Sequence, residues 1–261
     1  MFSRISLLHV LSGAALLSAQ GPPPGEGFGF GGRGFGGPGF GGPGFGERAF
    51  GRAATVTGAP YSAVQTVESQ QTLANGNQIQ RTHQTQIYRD SQGRVRTEHT
   101  MTTPGGQSRT MIAILDPVAG FETHLDPQAS TAQKTALPTA PPAGARRARP
   151  TPPAGSNAPQ VQTLDLGTKT VNGLLATGTR TLITIPARAE GNTQAIQSTH
   201  EVWLSQDLQV PLLITNSDPR FGTSTTQLTT VTRGEPDPSL FQIPSSYAVT
   251  TRARPAGPRP E

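Results

Sequence analysis

The stretch Arg94-Val95-Arg96-Thr97-Glu98-His99-Thr100-Met101 alternates without a break. Val95, Thr97, His99 and Met101 fall on one side of an extended chain. Arg94, Arg96, Glu98 and Thr100 fall on the other. A strict period of two belongs to a half-buried strand of an antiparallel sheet. Turn chemistry bounds it on both sides, with Asp90-Ser91-Gln92-Gly93 before it and Pro104-Gly105-Gly106 after it. Upstream, residues 63–73 and 78–89 are rich in Val, Thr and Gln and flank Asn75-Gly76, a hairpin signal. Downstream, residues 110–115 are almost continuously apolar, as in a central strand. Asp116-Pro117 and Asp126-Pro127 bracket a short strand at 121–125, and another is expected at 134–137.

The same texture returns at residues 162–171, which turn at Asn172-Gly173 into 174–185. Strands at 196–204, 208–215 and 223–233 follow. Pro236-Asp237-Pro238-Ser239-Leu240-Phe241 predicts one 3₁₀ or helical turn. The pattern is about ten strands joined mainly by hairpins, with no amphipathic helix of useful length. It predicts an all-β fold, a single strongly curved antiparallel sheet or half-barrel. Beyond residue 52 the aromatics are few: Tyr61, Tyr88, Phe121, Trp203, Phe221, Phe241 and Tyr247. Many strand positions carry Thr or Gln on both faces. A two-sheet sandwich needs two apolar inner faces, so the expectation is one sheet with a face poorly covered or open to a groove.

Low-complexity segments flank and interrupt the strands of the 261-residue chain. Residues 1–19 read as a signal peptide, with Arg4 ahead of a short apolar run at 5–17 and small residues at Ser18 and Ala19. Residues 20–52 form a Gly/Phe/Pro-rich segment expected to be disordered. It repeats Gly34-Phe35-Gly36-Gly37-Pro38 as Gly39-Phe40-Gly41-Gly42-Pro43 and holds six of the ten phenylalanines. The β domain is expected over 53–250, with a disordered insert at 137–160. An Arg/Pro-rich disordered tail follows at 251–261. The formal net charge of +5 traces to these flexible pieces, chiefly Arg146, Arg147 and Arg149 in the insert and Arg252, Arg254 and Arg259 in the tail. A nucleic-acid-binding domain carries its basic stripe on a rigid face, so no nucleic-acid partner is expected. No apolar run is long enough for a transmembrane segment in the mature chain.

The chain has no cysteine, which excludes disulfides, thiolate metal sites and a thiol nucleophile. Four histidines follow the leader: His83, His99, His124 and His200. Metal spacing is absent, because His200-Glu201 begins an H-E-x-x-H pattern that ends on Leu204, and no helix is expected there. No G-x-S-x-G elbow or phosphate loop is present. Asp116, Asp126, Asp218 and Asp237 each precede proline, which reads as turn chemistry rather than acid catalysis. Neither an enzyme nor a cofactor is expected. The candidate ligand-groove residues are Trp203, Thr199 and Glu201, which share one side of their strand; the alternative for Trp203 is packing across a sheet edge.

Two stretches carry a resemblance: Glu201-Val202-Trp203-Leu204-Ser205-Gln206-Asp207-Leu208-Gln209-Val210-Pro211-Leu212 and Leu240-Phe241-Gln242-Ile243-Pro244-Ser245-Ser246-Tyr247. They resemble secreted bacterial proteins with the lipoprotein-carrier fold of LolA, LolB and the RseB-like sensors. The resemblance implies a curved antiparallel sheet whose concave side accepts acyl chains or a partner peptide. It also implies secretion across the inner membrane, to the periplasm or the outer-membrane surface. The helices that lid the concave side in the carriers have no counterpart here, so lipoprotein transport is not implied. The expected role is non-catalytic binding of a hydrophobic or lipidated ligand or an extended peptide. The partners would be a lipid, a lipoprotein or an envelope protein. The alternative is a structural protein of the envelope acting through its Gly/Phe-rich and Arg-rich segments.

Overall fold

Turn residues set the hairpins in the computed structural model, which describes residues 55–102, 106–137 and 158–252. Strand β1 (Tyr61–Thr72) turns at Asn75-Gly76 into β2 (Gln78–Arg89), and the Asn75 carboxamide accepts from Asn77 N–H at 3.1 Å. Next come β3 (Val95–Thr102), β4 (Ser108–Asp116), β5 (Phe121–Asp126) and β6 (Thr131–Ala136). The Asp116 and Asp126 carboxylates each accept two backbone N–H bonds from the residues after their prolines, which is the turn role read from sequence. Strand β7 (Gln160–Val171) turns into β8 (Leu174–Ile185) at Asn172-Gly173, where both residues have positive φ. That backbone matches the twist of the flanking strands. Strands β9 (Ile196–Ser205), β10 (Val210–Asp218) and β11 (Gly222–Arg233) complete the second series.

All strands lie in one unclosed, curved sheet in the order β12-β6-β5-β4-β3-β2-β1-β11-β10-β9-β8-β7. Two meanders are therefore joined where β1 pairs with β11. The sequence pattern anticipated this antiparallel sheet but not its last strand, β12 (Ala248–Arg252). That strand pairs parallel with β6 and takes up the first two residues of the segment read as tail. Residues 1–19 and 20–52, nearly all of the insert and most of the tail lie outside the described residues. Among those described, no helix is long and apolar enough to cross a membrane.

The apolar residues form two separate cores, and the register places the β1–β2 part of the first on the face opposite to the β4–β6 part of the second. Tyr61 and Ala63 lie opposite Arg89 and Ile87, and all four are buried. Leu228, Leu212, Trp203, Val171 and Leu174 join this first cluster. From β3 onward the buried side switches. Ile87 aligns with Thr97 and Ala113, whereas the buried residues of β4 are Ile112 and Ile114. These lie opposite Leu125 and Thr123, and Leu125 lies opposite Ala132.

The second core is covered by the segment that follows β11. The 3₁₀ turn Pro238–Phe241 is capped by the Asp237 side chain, which accepts from Ser239 N–H at 2.9 Å. Phe241 is buried against Ile112, Ile114, Leu125 and Ala132, with Leu240, Ile243 and Tyr247 packed around it. The Arg94 guanidinium stacks on the Phe241 ring, and Arg96 donates to Leu240 O at 2.7 Å. The strap then delivers β12 to the free edge of β6. Phe241→Ala should cost about 3–4 kcal/mol and loosen β12. Denaturant titration would measure the loss, and amide exchange in residues 248–252 would rise above that of β1.

Candidate functional site

Trp203 and Glu201 lie on the same side of β9, two residues apart. Across the ladder, Gly178 of β8 faces Trp203 and Arg180 faces Glu201. The contact between indole and Gly178 is close: a Cβ at position 178 would lie 2.6 Å from the ring. A residue without a side chain is therefore required there. Lys169 of β7 also lies over the ring, its ammonium 3.7 Å from the ring centroid. Such a cation over an indole is attracted by the ring's negative face.

Glu201 satisfies the polar atoms of this group. One carboxylate oxygen accepts from Trp203 Nε1 at 2.6 Å. The other accepts from Arg180 Nε at 2.9 Å and Nη2 at 2.7 Å. The indole N–H bond first, and the Arg180 guanidinium second, hold the Glu201 carboxyl below its ordinary range. Trp203 is only 6% exposed. It is a braced core residue with the Lys169 ammonium over its ring. Thr199 lies two residues before Glu201 on the same side, half-buried, and faces Leu182 and Ser217 across the ladder. Sequence periodicity found Trp203, Glu201 and Thr199. It missed Lys169, Gly178 and Arg180, whose link to them is set only by register.

A second feature lies on the ladder β2-β1-β11. A cleft of about 280 Å³ is lined by Glu68, Gln70, Gln80, Thr82, Thr223 and Thr225 among others, and its wall is mostly polar. An acyl chain gains nothing from such a wall, whereas a peptide backbone finds donors and acceptors. A third feature is the outer edge of β7, which has no neighbour among the described residues. Residues 160–163 of that edge, Gln-Val-Gln-Thr, are exposed and uncharged. A bulge between Asp165 and Gly167, with Gly167 at φ +71°, ends the regular stretch.

The four histidines do not gather at one point. His200 Nδ1 lies 2.6 Å from Asn216 Oδ1, and His124 Nε2 lies 3.4 Å from Glu122. His83 and His99 come together across β2 and β3, with ring centroids 6.1 Å apart. Among the described residues no three His, Cys, Asp or Glu side chains converge as a metal cluster. Asp218 is buried and forked to Arg220, with Oδ1 on Nε at 3.0 Å and Oδ2 on Nη2 at 2.9 Å. It closes a turn, as its Asp-Pro setting predicted.

No family model and no curated protein matches the chain. It is similar to solved structures. The complex of Pseudomonas aeruginosa MucA and MucB aligns at 16% identity and a TM-score of 0.36, over 78% of this chain and 60% of that one. The lipoprotein LppX of Mycobacterium tuberculosis aligns at 15% and 0.28, over 69% and 87%. A LolA superfamily protein from Nitrosomonas europaea aligns at 9% and 0.31, over 75% and 94%. The chain thus spans about 60% of the length of the MucB structure it matches. The matches fall on proteins of the kind the sequence resembles. All three TM-scores lie below 0.5, and what those proteins bind is a property of those proteins.

Two outcomes follow for the Trp203 group, both read by the fluorescence of the single tryptophan. Gly178→Ala should displace the indole, shift its emission and cost about 1–3 kcal/mol, while Thr179→Ala should leave both unchanged. The Glu201 value is lowered by folding, so its contribution is present above the ordinary glutamate value of about 4.3. That contribution is lost as pH falls through the folded value. The urea midpoint of Glu201→Gln should therefore drop less between pH 7 and pH 3 than that of the unaltered chain.

Proposed function

We propose that this is a non-catalytic binding protein of the bacterial envelope that takes an extended peptide along the outer edge of β7. The observation that carries this reading is the edge itself. A strand with no neighbour presents a row of backbone donors and acceptors that another chain can pair with. Proteins usually blunt such edges by shortness, charge, proline or bulges. At the other end of the sheet, β12 is only five residues long and ends on Arg252. Strand β7 runs for twelve residues, and its first four carry no charge and no proline. The Gly167 bulge then limits an added strand to the segment before it.

Pairing of this kind takes its affinity from main-chain hydrogen bonds and its selectivity from side chains on alternate positions. Val161, 65% exposed, is the apolar contact on this edge. Before the bulge, Leu164 lies opposite Arg180 of β8, which is held by Glu201. An acidic guest residue beside Leu164 is drawn to that guanidinium, and Trp203, Glu201 and Thr199 brace the sheet behind it. The exported location rests on the leader at 1–19 and on the resemblance to envelope carriers. An acyl chain is the less favoured guest, because the indole is buried with Lys169 over it and the open cleft is polar.

Selection from a displayed random peptide library, with a dansylated fatty acid as comparator, tests the reading. Selected peptides should slow amide exchange in residues 160–165, and two prolines at Gln162 and Leu164 should abolish capture. Saturable uptake of the fatty acid without peptide capture would overturn it.

A further inference from the structure

The side of the sheet that carries His99 also carries both methionines outside the leader. His99 on β3 lies directly opposite Met111 on β4. Met101 lies two residues further along β3 and shares the side of His99. Directly opposed residues on adjacent strands have Cβ atoms about 5 Å apart, close enough for a long thioether and an imidazole to reach one ion. His83 on β2 completes the group, its ring centroid 6.1 Å from that of His99. With metal–nitrogen bonds of about 2.0 Å, this is a span that one ion between two imidazoles can bridge.

We propose that His83, His99, Met101 and Met111 form a surface site for Cu(I). Three observations select that ion. The first is the donor set, two imidazoles and two thioethers without a carboxylate. Thioethers favour Cu(I), whereas carboxylates and waters suit Mg, Ca and Mn. The chain has no cysteine, so thioethers are its only sulfur donors. The second is the setting of His99. Its Nδ1 lies 3.4 Å from Thr85 Oγ1, and Thr85 is buried. A ligating histidine commonly gives its other ring N–H to an oxygen, which fixes the tautomer and aims the free nitrogen. In the tautomer this site requires, Nδ1–H donates to Thr85 and Nε2 is left for the ion.

The third observation is exposure and charge. Met101 and Met111 are 49% and 48% exposed, so neither sulfur is spent on a core. Of the cations near by register, Arg81 lies two residues before His83 on the same side of β2, and Arg109 lies opposite Met101 and is paired with Asp126 at 2.5 Å. The positive charge opposite Met101 is thereby compensated. The site needs neither the β7 edge nor a peptide, so it stands apart from the reading given above.

The test is titration of the full chain with Cu(I) under ascorbate and nitrogen, against bicinchoninate as competing chelator. One Cu(I) per chain should be withdrawn, and X-ray absorption should show sulfur and nitrogen neighbours. The double variant Met101→Leu/Met111→Leu keeps volume and apolarity. It should bind at least a hundredfold more weakly, with the sulfur scattering gone and the circular dichroism unchanged. His99→Gln should weaken binding at least tenfold, and His200→Gln should leave it unchanged. Failure to withdraw Cu(I) from bicinchoninate would overturn the proposal. So would a double variant with the same affinity and absorption spectrum as the unaltered chain.

Discussion

Arg89 is the interaction on which the curved end of the sheet depends. Its guanidinium is buried, yet among the described residues no carboxylate pairs with it. It donates from Nε at 3.0 Å and from Nη2 at 2.7 Å to Ala59 O, donates again to Leu208 O, and stacks on the Tyr61 ring at 4.7 Å. Four parts of the chain meet there: the lead-in to β1, β1 itself, β2 and the turn between β9 and β10. Only a planar, multiply donating cation can serve carbonyls from two directions while lying on an aromatic face. Burial lowers the Arg89 value, and it raises the Tyr61 hydroxyl to about 12 against the pull of Arg89. Neither change brings a proton into play near neutral pH, so the clamp is constant under ordinary conditions.

From that clamp follows the division of the core. The β10–β11 pairing extends from Asp218/Gly222 only as far as Leu213 and Gln227. Beyond it the Asn172 carboxamide donates to Leu228 O, one residue past the last residue of β11 that pairs with β10. The tips of the β7–β8 and β9–β10 hairpins are thereby held against β1, β2 and β11, and enclose the first cluster. The second cluster forms on the other side of β4–β6 under the Phe241 strap. A chain that is 33% hydrophobic cannot line a whole face of twelve strands. It buries two patches instead, and the strand ends between and beyond them stay polar. The places proposed above for binding, the edge of β7 and the His/Met group, lie among those unburied parts.

The candidate site was partly legible in the sequence, for a physical reason. Period-two alternation tells which residues of one strand share a side, so Thr199, Glu201 and Trp203 could be grouped, as could His99 with Met101. It does not tell which residue of the next strand lies opposite. Gly178, Lys169 and Arg180, which brace Trp203 and Glu201, belong to other strands. His83 and Met111 join His99 in the same non-local way. Turn chemistry was more fully legible, because an Asp-Pro or Asn-Gly pair acts on its own backbone. The side chains of Asp116, Asp126 and Asp237 accept the N–H groups expected of them.

The sequence by itself determined the strands other than β12, the hairpin turns, the single-sheet character and the 3₁₀ turn that ends on Phe241. Each of these rests on interactions within a few residues, so local pattern suffices. Only the tertiary structure decided that β1 joins β11 and that β12 returns parallel to β6. It alone decided that the buried side switches between β2 and β4. Those features depend on contacts between residues a hundred or more apart, such as Arg89 with Leu208 and Arg96 with Leu240. Strand pairing at that range is chosen by the total apolar area that can be buried, and no short stretch of the chain carries that sum.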